Sequence, residues 1–295
     1  MPSPELTIVL ARTTADASLT EALEALVAGT QDVDCEILLV GGATPDPHDP
    51  GTARHLPCPD VWLTPERWGA GARAARGRVV AFTTEQLRVG PGWARALVEA
   101  LDAGVVGVVG VGGPITLDPR ADAGTAAAHL IRFSAFLPAA HREPHRVDDV
   151  AGDNAAYLLA AVAKHPDLLA EGFWEVEFHR RFAAEGLALE MVPDATAVLV
   201  GPVPTSALAH LRYVHAREFG AARVRRHGAS RWSIALAAPL VPFVLLSRMR
   251  QRARADAATA SRFNALLPRL AWLAIAWAAG EAVGAITARP DDPAR

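Results

Sequence analysis

The sequence predicts an α/β body, a three-layer sheet with helices on both faces, followed by a helical, membrane-associated C-terminal region. Three observations predict it. Short apolar runs alternate with segments whose apolar residues recur at helical spacing. Turn-rich Gly/Pro segments punctuate them. The charge also changes sign along the chain: residues 1–202 carry 15 basic and 27 acidic side chains (net −12), residues 203–295 carry 14 and 5 (net +9), and the overall charge is −3. A boundary at 205/206 therefore separates a body, 1–205, from a basic and apolar tail, 206–295. The acidic body lacks a phosphate-neutralising stripe, which argues against nucleic-acid binding. Cys35 and Cys58 stand outside any ligand-like spacing, so free cytosolic thiols are expected. Met1–Glu5 has no basic n-region and Leu6–Leu10 is too short for an h-region, so the body is expected in the cytoplasm.

Leu6–Leu10 reads as a buried strand, Leu19–Val27 as a helix (apolar at Leu19, Ala22, Leu23, Leu26 and Val27) and Cys35–Val40 as a second strand. Strand, helix and strand with short links imply a βαβ unit and a parallel sheet. Gly41–Pro59 reads as loop. Further on, Trp68–Ala75 reads as a Gly-rich helix, Arg78–Thr83 as a strand, Gly92–Leu101 as a helix and Val105–Val111 as a strand. Ala126–Phe136, Ala155–Ala163 and Glu175–Glu185 read as helices, and Leu189–Val200 as a strand run broken at Pro193-Asp194.

In the tail, Ala207–Arg226 is a basic helix. Trp232–Leu246 is apolar but holds Pro239 and Pro242, and is too short for a straight span of about 20 residues. Ala265–Ile286 is 22 residues long, enough for a span, yet Arg269 and Glu281 leave an unbroken apolar centre of 11. Snorkelling accommodates Arg269, whereas Glu281 needs a partner or an aqueous end. Basic clusters flank the Pro-containing run on both sides, so an interfacial or re-entrant course keeps both on the cytoplasmic face. Membrane lipids are the expected partner there, with ordinary bundle helices packed on the body as the alternative.

The order of these segments resembles family 2 glycosyltransferases of the GT-A fold, in particular bacterial members with a C-terminal membrane-associated hairpin. The opening strand–helix–strand, Gly69-Ala-Gly-Ala-Arg-Ala-Ala-Arg-Gly77 with the strand after it, Pro91-Gly92-Trp93, and Gly172-Phe173-Trp174-Glu175 carry the resemblance over most of the chain. It implies a GT-A-like three-layer sheet, a nucleotide-sugar donor, a lipid-linked or membrane-proximal acceptor and inverting transfer. Glu175 is the implied general base, since the attacking hydroxyl must give up a proton. A solvated carboxylate at a helix start fits the same position. Arg12, Thr84, Glu85, Gln86 and Gly113 fall on the implied donor side, and Asp153, Asn154 and Trp174 on the acceptor side. Asp153 or Asn154 serves equally well as a helix N-cap. Arg217, Arg223 and Arg226 are the implied phosphate ligands.

Thr84-Glu85-Gln86 departs from the family's acidic metal loop. Glu85 remains as a ligand for Mg²⁺ or Mn²⁺, Gln86 offers only a neutral oxygen, and the family's late histidine is replaced at Leu199-Val200-Gly201. The Asp that pairs the nucleotide base is replaced by Gly41 and Gly42, with Asp46 and Asp49 as distant substitutes. These losses keep a second reading open, a catalytically lapsed relative that binds a nucleotide sugar or a partner at the membrane.

Overall fold

A computed structural model describes residues 3–13, 19–42 and 53–288. Asp46 and Asp49 lie outside the described residues. The chain divides into two compact units. The first runs to Thr116 and resumes over Phe136–Leu199; the second takes Leu117–Ala135 and the chain from Val200 on. Packing thus assigns a body helix to the C-terminal unit, which the charge boundary at 205/206 does not reveal.

The first unit holds strands β1 (Leu6–Ala11), β2 (Cys35–Val40), β3 (Arg54–Leu56), β4 (Val79–Thr84), β5 (Leu87–Val89), β6 (Val108–Gly112), β7 (Ile115–Leu117, at its boundary), β8 (His145–Val147), β9 (Ala155–Leu158), β10 (Ala188–Met191) and β11 (Ala197–Leu199). Its helices are α1 (Leu19–Gly29), α2 (Thr64–Ala74), α3 (Trp93–Asp102), α5 (Leu159–Ala163), α6 (Pro166–Ala170) and α7 (Glu175–Ala184); α4 (Ala123–Phe133) belongs to the second unit. Eight strands form one sheet in the order β3-β2-β1-β4-β9-β6-β10-β8, and β5-β11-β7 form a small second sheet.

The large sheet is mixed. β1 runs parallel to β2 and β4, and β2 to β3. Between β4 and β6 lies β9, antiparallel to both. The expected parallel sheet therefore holds over β3–β4 and again between β6 and β10, interrupted by β9 and closed by antiparallel β8. Strands β1 and β4 are buried at every position, which is why they read as unbroken apolar runs.

Three other expectations are corrected. Ala155–Ala163 is a strand followed by a single short helix, because Ala155 and Ala156 pair with β4 and β6 on both sides and tertiary pairing overrides alanine's helix preference. The loop expected at Gly41–Pro59 contains β3 at the sheet edge. The run Leu189–Val200 splits into β10 and β11, in different sheets.

An aromatic core joins sheet and helices: Phe82 lies 4.3 Å from Phe173, Phe173 4.5 Å from Phe178 and 5.0 Å from Tyr157, centroid to centroid. Close backbone approach at α2 explains the glycines there. A Cβ at Gly69 would meet Gly172 Cα at 2.5 Å, and one at Gly71 would meet Val9 Cγ1 at 2.2 Å. Gly172 itself has φ +118°, a left-handed value that favours glycine.

The second unit holds α4, α8 (Thr205–His227), α9 (Arg231–Ala237), α10 (Val241–Ala253) and α11 (Ala257–Thr287). A 3-10 turn at Ala238–Leu240 links α9 to α10, so Arg231–Ala253 is one helical course of 23 residues. This corrects the expectation of a run too short to span. That course and the 31-residue α11 are long and apolar enough to cross a membrane by length and composition. Helices α8 and α11 cross at glycines: a Cβ at Gly220 would lie 2.2 Å from the Glu281 carbonyl oxygen, at Gly280 2.2 Å from that of Tyr213, and at Gly284 1.9 Å from that of Arg217.

Candidate functional site

The strand order fixes where a ligand crevice opens. From β1 the chain passes through α1 to β2 and on to β3, all on one side; α2 then carries it back across to β4, on the other side of β1. Chain segments leaving β1 and reaching β4 diverge, and open α/β sheets bind ligands outside the carboxyl ends of strands at such a switch point. Arg12 and Thr13 follow β1, and Glu85 and Gln86 follow β4.

Glu85 is buried at this point. Its Oε1 accepts the Thr13 amide at 2.9 Å and the Thr13 hydroxyl at 2.7 Å, and its Oε2 lies 3.0 Å from the same amide. The carboxylate therefore ties the end of β1 to the end of β4. Gln86 is partly exposed in the turn to β5. The Arg88 guanidinium donates to the Glu85 carbonyl and pairs with Glu21. Thr84 is buried with its hydroxyl lacking a hydrogen-bond partner, as is Thr83. An unsatisfied buried hydroxyl costs about 1–3 kcal/mol.

A dication such as Mg²⁺ takes about six oxygens in near-octahedral geometry, most of them carboxylate, phosphate or water. Here one carboxylate stands in the turn, and both its oxygens already accept hydrogen bonds from Thr13. Among the described residues no group of three or more His, Cys, Asp or Glu converges. This donor set does not fit a two-carboxylate metal centre, and no chemical step is derived through one.

Glu175 opens α7, with Trp174 in extended conformation before it. Helix N-termini favour carboxylates, and Glu175 and Glu177 both sit in this first turn. Glu177 pairs instead with Arg180 at 3.2 Å. Glu175 is partly buried: a Cβ built on Gly152 would come within 3.4 Å of its carboxyl carbon and 2.8 Å of the Trp68 ring. The Trp68 indole N–H donates to the Thr83 carbonyl at 3.1 Å. One indole thus has its ring edge beside Gly152, near which the Glu175 carboxyl group also lies, and its N–H on the strand that delivers Glu85.

The remaining residues that the sequence singles out separate into two groups. Asp153 is partly exposed in the 3-10 turn Gly152–Asn154, and Trp174 is partly exposed with its indole N–H on the Glu171 carbonyl. Both border Glu175 in sequence or space. Asn154 and Gly113 have structural contacts. Asn154 is fully buried, accepts the Trp93 indole N–H at 2.8 Å and donates to the carbonyls of Ala195 and Pro114, so it is a structural tie with its amide spent. Gly113 donates its amide to the Asn154 carbonyl, and a Cβ there would lie 1.7 Å from the Ala195 carbonyl oxygen. It serves strand packing.

In the second unit the phosphate candidates also divide. Arg223 is paired with buried Glu281, which supplies the partner that Glu281 needs. Arg217 is exposed beside Glu218 at 3.7 Å, and Arg226 is partly buried. Sequence reasoning missed Thr13, Trp68 and a polar chain of Asp149, His179 and Tyr157; of these only His179, four residues after Glu175, has a spacing that marks it. Compared with known proteins, the chain matches no family model and no curated protein.

Proposed function

We propose that the chain is an inverting glycosyltransferase of GT-A architecture, with helices on both faces of its sheet, working at the cytoplasmic face of a membrane. It moves a sugar from a nucleotide-sugar donor to a lipid-linked or membrane-proximal acceptor. One observation carries the reading: a half-buried carboxylate, Glu175, is held at a helix N-terminus beside Trp68, whose indole is anchored on the strand leading into the β1/β4 switch point.

In the reaction the acceptor hydroxyl attacks the anomeric carbon on the face opposite the leaving group. The new C–O bond forms as the anomeric C–O bond to phosphate breaks. The hydroxyl proton passes to Glu175 and the electron pair leaves with the nucleoside diphosphate. Arg12, just past β1, supplies positive charge on the donor side. The exposed side chains of Trp232, Leu236, Leu240 and Phe243, followed by Arg248, Arg250 and Arg254, support lipid contact by the second unit.

The test is donor turnover by the purified chain over a panel of nucleotide sugars, with and without Mn²⁺. Turnover that falls at least about 100-fold in Glu175→Gln, the usual scale for loss of a general base, supports the proposal. Unchanged turnover in that variant refutes Glu175 as base. The capture of the Glu85 carboxylate by Thr13 favours one second reading, a lapsed transferase that retains nucleotide-sugar binding. Saturable donor binding without turnover is its signature.

A further inference from the structure

Helix α7 presents Glu175 and His179 four residues apart, hence on one face. His179 is buried, and both its ring nitrogens are engaged: Nδ1 meets the Asp149 carboxylate, and Nε2 lies 2.8 Å from the Tyr157 hydroxyl. An ionised carboxylate only accepts hydrogen bonds, so Nδ1 donates to Asp149, while Nε2 and the Tyr157 hydroxyl share the other hydrogen bond. Burial, followed by the charges of Glu175 and Asp149, raises the Tyr157 hydroxyl well above its ordinary value, which keeps it protonated. Tyr157 is fully buried, so neither it nor His179 meets a substrate.

The chain of hydrogen bonds links three segments. Tyr157 belongs to β9, His179 to α7, and Asp149 lies three residues before Gly152, against which the Glu175 carboxyl group packs. The 149–152 segment and α7 are thus joined twice, by the Asp149–His179 pair and by the Glu175–Gly152 contact. Two joints fix both the rotation and the depth of the helix start. We propose that Asp149, His179 and Tyr157 are positioning residues that hold the first turns of α7 against β9 and the 149–152 segment, and so present Glu175 beside Trp68. For Glu175 as base this rests on the transferase reading; for the placement of α7 it does not.

Asp149 has 52% of its side chain exposed, so substitution there spares the core. Asp149→Ala should lower kcat about tenfold while the donor KM stays within about twofold, as expected for a misplaced reacting group with intact donor binding. Asp149→Asn, whose amide oxygen still accepts the Nδ1 proton, should recover most of the loss. Hydrogen exchange in the full chain should show the amides of residues 176–179 exchanging about tenfold faster in Asp149→Ala than in the parent. Nitrogen-15 spectra should show His179 protonated at Nδ1. Parent-like kcat and amide protection in Asp149→Ala would overturn the proposal, as would an Nε2–H tautomer in the parent. Should no donor turn over even with the parent chain, the transferase reading fails alone, and the exchange and tautomer measurements still decide the positioning role.

Discussion

Single atoms set the limits at the residue scale. Gly69 and Gly71 sit in the segment that the sequence reads as a family-like Gly-rich helix, and their role in the structure is close packing. At Gly71 the obstacle is the Val9 side chain, whereas at Gly69 it is the backbone of Gly172 and Phe173, which has no rotamer to yield. Gly71→Ala should therefore cost about 1–3 kcal/mol, the usual range for an overpacked core, and Val9→Ala in the same chain should recover part of it. Gly69→Ala should find no such rescue. Urea denaturation of Gly71→Ala, Val9→Ala, their double variant and Gly69→Ala checks both statements, and additive losses at Val9 and Gly71 would contradict the packing argument. The same scale governs Glu85. Its carboxylate holds Thr13 through an N–H and an O–H, so Glu85→Ala should loosen the end of β1 and raise the donor KM about tenfold, while Glu85→Gln, which keeps an acceptor, should raise it less. Equal KM values for the parent and Glu85→Ala, from initial rates against donor concentration, would remove Glu85 from the donor site.

At the scale of elements, the legible parts of the sequence are those whose burial is complete. β1 and β4, buried throughout, and β2, buried over Ile37–Val40, read directly because parallel strands covered on both faces leave a largely apolar run. β9 does not, since Ala-Ala-Tyr-Leu carries no strand signature of its own and becomes a strand only between β4 and β6. Helix α2 begins four residues before the expected Trp68, because the Glu66 carboxylate accepts the Leu63 amide and Pro65 occupies the first turn, a start signal outside the apolar pattern. The site follows the same rule. Glu85 and Glu175 stand in recognisable segments, whereas Thr13 meets Glu85 across 72 positions and Tyr157 meets His179 across 22, distances over which local patterns carry no information. Helix α8 adds a pH-dependent element. Burial, reinforced by the guanidinium groups of Arg132 and Arg212, lowers the His215 imidazole to about 4 from its ordinary 6.5. Between those values the unfolded chain binds a proton that the folded chain does not, so stability should fall as pH drops from about 6.5 towards 4 and change no further through this group below that. His215→Gln should flatten this part of the profile in thermal melts taken from pH 7 to 4. A slope unchanged by the substitution would assign the effect to other groups.

For the molecule as a whole, the charge asymmetry and the apolar surface belong to one question, what the C-terminal unit touches. Its exposed side chains include Leu236 at 80%, Phe243 at 71%, and Trp232 and Leu240 each at 63%, all on the Arg231–Ala253 course. Soluble proteins rarely leave such a contiguous set in water, and a basic run at its end adds about 1 kcal/mol per residue of attraction to anionic lipid. Deleting the chain after Arg231 would be a poor test. Gly280 and Gly284 of α11 seat against α8, so removing α11 would bare the buried face of α8 and cause pelleting by aggregation. The double substitution Leu236→Asp and Phe243→Asp avoids this, because both positions are exposed and neither supports the α8–α11 crossing. We expect the variant to keep the parent's helical circular dichroism and melting temperature and to lose at least about tenfold in co-sedimentation with vesicles containing phosphatidylserine, since each carboxylate replaces an exposed apolar group whose burial in lipid would be worth about 1.5–3 kcal/mol. Raising the salt should weaken binding of the parent only in part, because the apolar share of the attraction is not screened. A variant that folds like the parent and still sediments with the vesicles would show that this face does not enter the bilayer, and the acceptor would then have to be sought among soluble hydroxyl compounds.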